Sequence, residues 1–181
     1  MQQSNQAQGG AARTPIDSAL PASPIDYLHA VHLCKRELCA LLERIADGGA
    51  ASSEDIEAAT AFLSDEFPTH LEDEEQDLFP LLRLRCERDD DIDRLLDKLM
   101  DDHRHAHFDA TGVIRILKSA ASDLGADDIT DLRRFAGHAR RHLILEKAVL
   151  MPFARLRLTE ADLETFRASM RRRRGLETNT D

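Results

Sequence analysis

His70 and Glu74 stand four residues apart, and so do His142 and Glu146. On a helix that spacing stacks two side chains on one face, where an imidazole nitrogen and a carboxylate oxygen can reach one metal ion. A single such pair means little in a chain with eight His and 34 Asp and Glu among 181 residues. His105 and Asp109 have the same spacing, yet two residues along a helix from His103 is about 200°, so His105 points away from the core stripe and reads as a solvated decoy.

The weight lies in a longer pattern that occurs twice: His70-x-x-x-Glu74-x-x-x-Leu78-Phe79-Pro80 and His142-x-x-x-Glu146-x-x-x-Leu150-Met151-Pro152, with an offset of 72. His32 and His103 precede the two copies with an offset of 71. The chain thus reads as two copies of a helical hairpin, each supplying one His from its first helix and a His and a Glu from its second. An approximate twofold axis would bring the six together.

Each ligand candidate lies on an apolar stripe: His32 with Ile25, Leu28 and Leu42, His70 with Leu63 and Leu81, His103 with Leu96 and Ile114, His142 with Phe135 and Phe153. Burying several imidazoles and carboxylates among Leu and Phe is costly unless they are paired, hydrogen-bonded or coordinating metal. Singly, each His reads as a hydrogen-bonded core residue; as an inward-facing set of six they read as a metal site. Nitrogen and oxygen donors without thiolate suit iron, manganese or zinc, and two glutamates related by the repeat suit bridging of two ions about 3.5 to 4 Å apart. His107 follows His103 by four and is carried as a candidate seventh ligand. His138 reads as a core residue or a support for His142, His29 as peripheral, and Tyr27 as a packing residue at a helix start.

The elements that must position these residues are helices, since apolar residues recur at helical rather than alternating spacing almost throughout. The expected fold is all-α, an up-down-up-down four-helix bundle over residues 23–158, with a short C-terminal helix over 159–170. Ser23-Pro24-Ile25-Asp26 opens the first helix, which ends near Asp47-Gly48-Gly49, and Ser52-Ser53-Glu54-Asp55 opens the second, which runs to about Leu84. Pro68 is expected to bend that helix rather than divide it. The acids Asp89 to Asp91 lead into the third helix, which ends before the connection from Asp123 to Asp128; the fourth begins around Thr130-Asp131 and meets a kink or an early end at Pro152. Residues 1–22, rich in Gln, Ser, Gly and Ala, read as a disordered lead-in, and 171–181 as a basic then polar tail, with Arg171 to Arg174 solvated and complementing the helix dipole.

A net charge of -10 argues against nucleic acid or an anionic membrane as partner. No stretch approaches the roughly 18 apolar residues of a membrane helix, and nothing resembles a secretory leader, so the expected location is cytoplasmic. Cys34, Cys39 and Cys86 form no CxxC pair and read as reduced thiols.

Across residues 24–158 the chain resembles the hemerythrin-like family, the HHE cation-binding domains. The resemblance is carried by Pro24-Ile25-Asp26-Tyr27-Leu28 with His32, by Phe67-Pro68-Thr69-His70 through Glu74 to Pro80, by Asp102-His103, and by His142 through Glu146 to Pro152. It implies a non-haem centre of two iron ions with His32, His70, Glu74, His103, His142 and Glu146 as terminal or bridging ligands, and an open position for dioxygen or another small ligand. His103 and His107 match the His-x-x-x-His pair of the oxygen-carrying members. The last carboxylate does not: those members have an Asp one residue further from its His, whereas Glu146 resembles bacterial HHE proteins. The ferritin-like Glu-x-x-His pattern fits poorly. The leading expectation is a protein that binds or senses dioxygen, nitric oxide or iron. The alternatives are a di-iron enzyme acting on peroxide, dioxygen or nitric oxide or in iron-sulfur repair, and a structural zinc or manganese bundle.

Overall fold

The computed structural model describes residues 23–119 and 124–176. The expected lead-in over 1–22 and the end of the polar tail lie outside the described residues, as does Asp123. Within them the chain is helical with short connections, and five helices account for almost all of it.

Helix α1 spans Pro24–Ala46, with Ser23 accepting from the Asp26 amide at its start and Gly48, at φ +80°, leaving its end. Only glycine takes that left-handed turn without strain. Helix α2 runs without a break over residues 53–85 and opens on a reciprocal cap, Ser52 bonding the Asp55 amide and Asp55 the Ser52 amide. Helix α3, Ile92–Ser119, follows a single tight turn whose last residue, Asp91, takes φ 47°. Helix α4 covers residues 126–157, beginning four residues earlier than Thr130 because Asp128 caps the Gly125 amide. Helix α5, Glu160–Arg173, opens on a cap between Thr159 and Asp162.

Neither Pro68 nor Pro152 ends its helix, and the reason is local. Three five-residue π turns interrupt the α pattern, Phe62–Glu66, Glu74–Leu78 and Glu146–Leu150, and each is followed by one residue and then a proline, Pro68, Pro80 or Pro152. The amides of Phe67, Phe79 and Met151 donate to the carbonyls five residues back, of Phe62, Glu74 and Glu146. A proline lacks the amide for the usual bond, and its ring collides with the carbonyl four residues back. The wider turn relieves that collision and keeps the helix continuous.

Each π turn also adds one residue to the helical count, moving the downstream stripe by one position. From His70 an ideal helix points Leu81 at the core, yet Leu82 is the fully buried residue and Leu81 only half-buried. From His142 it points Phe153 inward, yet Ala154 is buried and Phe153 half-buried.

Helix α1 packs along α4, α3 lies beside α4, and the C-terminal part of α2 meets both α3 and the end of α4. Leu28, Leu38, Phe62, Leu78, Leu96 and Leu99 are fully buried between them. Each such side chain stabilises the fold by about 1.5 to 3 kcal/mol. The bidentate pair of Arg140 with Glu43, at 2.6 Å, fixes α4 against α1. Helix α5 crosses α1 and α2, burying Phe166 and Met170, and Arg85 holds Asp162 through two bonds of 2.9 Å.

The basic run at the end of α5 departs from the solvated tail expected of it. Arg174 forms a bidentate pair with Asp73 at 2.6 and 3.1 Å, bonds Glu66 at 2.9 Å and lies over the Tyr27 ring at 4.8 Å. Arg173 bonds Asp73 and reaches Asp77 at 2.7 Å. Tyr27 in turn donates to Glu66 at 3.0 Å. Glu66 and Asp73 are buried, and a buried carboxylate needs a charged partner, which these two arginines supply.

Candidate metal centre

All six residues of the duplicated pattern converge in the interior. His32 comes from α1, His70 and Glu74 from α2, His103 from α3, and His142 and Glu146 from α4. Each is at most 5 % exposed, and four are at 0 or 1 %. They fall into two sets of four, His32, His70, Glu74 and Glu146, and Glu74, His103, His142 and Glu146. Within each set one donor atom per residue lies within 4.8 Å of the others. Glu74 and Glu146 belong to both sets, so the two candidate ion positions are adjacent and share two carboxylates.

The contacts match this division. His32 Nε2 lies 3.5 Å from Glu74 and 3.4 Å from Glu146, and His70 Nε2 lies 3.7 Å from Glu74. Across the cluster, His103 Nε2 is 3.3 Å from Glu74, His142 Nε2 is 2.7 Å from Glu146, and the two nitrogens are 3.1 Å apart. Both glutamates open a π turn, and each donates its backbone amide to carbonyls of its own His-x-x-x-Glu turn, Glu74 to those of His70 and Leu71 and Glu146 to those of His142 and Leu143. π turns are frequent at functional sites.

Several of these buried atoms make no hydrogen bond: His32 Nε2, both nitrogens of His70, and both carboxylate oxygens of Glu74 and of Glu146. Uncompensated burial of so many polar atoms is expensive, and metal coordination would satisfy them together. The donor set, imidazole nitrogen with carboxylate oxygen, fits a transition-metal ion.

The electrostatics divide the donors: burial lowers His103 and His32, but Glu74 and Glu75 raise His103 to about 9 and Glu146 and Glu74 raise His32, so these two imidazoles hold protons that a bound metal ion would displace. Burial lowers the pKa of His70 to about 3, so that imidazole is neutral. Burial and the neighbouring Glu74 raise Glu146, but the charges of His142, Lys35 and His32 outweigh them and hold it at about 2. Glu74 is likewise raised by burial but held well below the usual carboxylate range by His70, His103 and His32. Both bridging candidates are therefore ionised.

His107 is not brought to this cluster. It is exposed on α3, on the wall of a shallow groove with Phe108 and Arg134. His29, His105 and His138 are also exposed, and His105 bonds the Asp101 carbonyl at 2.8 Å.

Three supporting residues escaped the sequence reading. Glu75 accepts from His103 Nδ1 at 2.9 Å, which orients the ring and directs Nε2 inward. Asp102 stands 3.6 Å from His142 Nδ1. Lys35, three residues after His32, is buried beside the cluster. Glu75 follows Glu74 directly and Asp102 precedes His103, so adjacency to a ligand was the available cue; for Lys35, the cue was a lysine on an apolar helix face.

A helical chain closing on a buried cluster of four His and two Glu has the makings of a cation-binding protein. Residues 23–154 match the model of the hemerythrin HHE cation-binding domain, and the chain belongs to that family. No curated protein matches it. Among the described residues, no helix is long and apolar enough to cross a membrane.

Proposed function

We propose that this chain holds a non-haem di-iron centre and binds or senses dioxygen, nitric oxide or iron in the cytoplasm. The observation that carries the reading is the sharing of Glu74 and Glu146 between two four-residue donor sets. His32 and His70 would hold one ion, His103 and His142 the other, and the glutamates would bridge them. Iron, when bound, would supply a reversible redox couple and a place for a small ligand, which zinc would not. The surrounding helices form an up-down-up-down bundle with α5 laid across it.

Binding or sensing is favoured over catalysis by the link between the cluster and α5. Asp73, next to Glu74 in the chain, is held by both Arg173 and Arg174. A shift of α2 at Glu74 is therefore felt at the end of α5, which gives a change at the centre a route to the surface.

Metal analysis of anaerobically purified protein tests the reading. Two iron ions per chain are expected, with an absorption spectrum that changes reversibly on cycling oxygen. A chain without stoichiometric metal would overturn it; zinc alone would leave a structural role, and irreversible oxidation with peroxide turnover would make it an enzyme.

A further inference from the structure

Phe108 is 82 % exposed, more than any other large apolar side chain among the described residues. It stands on α3 at the wall of a groove of about 430 Å³ between α3 and the start of α4, lined also by Thr111, Gly112, Asp131 and Arg134. Gly112 lies inside the helix, where a glycine is less stable than an alanine. Nothing in the chain itself requires it, because its φ is not positive and no atom lies within 4 Å of where a Cβ would stand. An open glycine beside an exposed aromatic ring is suited to the close approach of a surface from outside the chain.

We propose that α3 is a self-association face, on which two copies of the chain pair antiparallel with Phe108 of each seated in the groove beside Gly112 of the other. The spacing makes the contact self-complementary. Residues four apart on a helix share a face, so a twofold axis crossing α3 at Ala110 lays ring against glycine in both directions at once. One knob and one hole on a single helix thus give two equal contacts.

The charges agree with this pairing. In a chain of net charge -10, the part of α3 that follows Gly112 carries Arg115 and Lys118 and no acid. Lys118 is exposed and has no ion pair among the described residues. The axis at Ala110 places Lys118 of each copy over Asp101 and Asp102 of the other, and the present pair of Asp101 with Arg104 is exposed and therefore weak. The rim of the groove is neutral in itself, since Arg134 bonds Asp131 at 2.8 Å and stands 3.5 Å from Asp109. A patch of this size buries less than an obligate dimer does, so the association is reversible and follows concentration.

Sedimentation equilibrium of the full chain, with or without metal, tests the proposal. The natural protein should form a dimer reversibly as its concentration rises towards about 1 mM. Gly112→Gln should weaken that dimer by about tenfold or more, with helix content kept and melting temperature no lower, because the added side chain meets no atom of its own chain. Phe108→Ser should weaken it likewise. Lys118→Glu and Asp101→Lys should each weaken it, and the two together should recover it, a rescue that a merely structural role for either residue would not produce. A chain that stays monomeric, leaving the face to some other partner, overturns the proposal. So does a dimer equally tight in Gly112→Gln, or a double variant no tighter than the single ones.

Discussion

Glu75 accepts a hydrogen bond from His103 Nδ1 at 2.9 Å while His103 Nε2 faces Glu74 at 3.3 Å, so one ring is gripped from both sides by consecutive glutamates. Removing the outer grip frees the ring to turn. Glu75→Ala is expected to weaken metal affinity by about 10- to 100-fold, measured by competition with a chelator. Its thermal stability without metal should stay close to that of the natural protein, since Glu75 is only half-buried.

The division between converging and outlying histidines gives a second expectation. His70→Ala and His142→Ala should each lower the metal bound per chain, while His105→Ala and His107→Ala should not. Elemental analysis after identical purification distinguishes them. Equal losses in all four would mean that the buried cluster is not where the metal sits.

Arg174 is half-buried at the centre of a network with the buried Glu66, Asp73 and Tyr27. Arg174→Ala would leave Glu66 without its cation and Asp73 with Arg173 alone. Breaking a buried pair on one side costs about 3 to 5 kcal/mol, and urea unfolding should show a loss of that order. Arg172→Ala, in the same basic run, should cost far less.

The pair of Arg85 with Asp162 predicts a pH dependence. The guanidinium, with help from Thr159, holds the Asp162 carboxyl well below the usual carboxylate range. The folded state therefore binds its proton less readily than the unfolded chain. The resulting stability is present above the ordinary value near pH 4 and is lost as the pH falls towards the folded value. Asp162→Asn should melt at lower temperature than the natural protein at pH 7, and the gap should narrow steadily between about pH 5 and pH 2.

Much of the site was readable before any coordinates because it is duplicated. Periodicity pointed His32, His70, His103 and His142 inward, and all four are buried together with Glu74 and Glu146. What periodicity alone could not supply was the change of phase downstream. A constant 3.6-residue repeat assigns Leu81 and Phe153 to the core, where Leu82 and Ala154 are found, because it has no place for the residue added by a π turn. The prolines carried that information, since Pro80 and Pro152 each follow a glutamate ligand candidate by six residues. The Arg173 and Arg174 contacts were hidden for a different reason. Their partners, Glu66, Asp73 and Asp77, are about 100 residues away, and a basic run at a helix end has an adequate local explanation in the helix dipole.

The π turns at Glu74 and Glu146 make chain length, as well as residue type, part of the architecture. Losing one residue between Glu146 and Pro152 would restore an unbroken α count and keep Ala154 in the core, whereas gaining one would turn everything after it by about 100° and carry Ala154 and the apolar face of the helix end towards water. Substitutions in these six-residue intervals would each be judged on local packing. Insertions would act at a distance, on a segment none of whose own residues had changed.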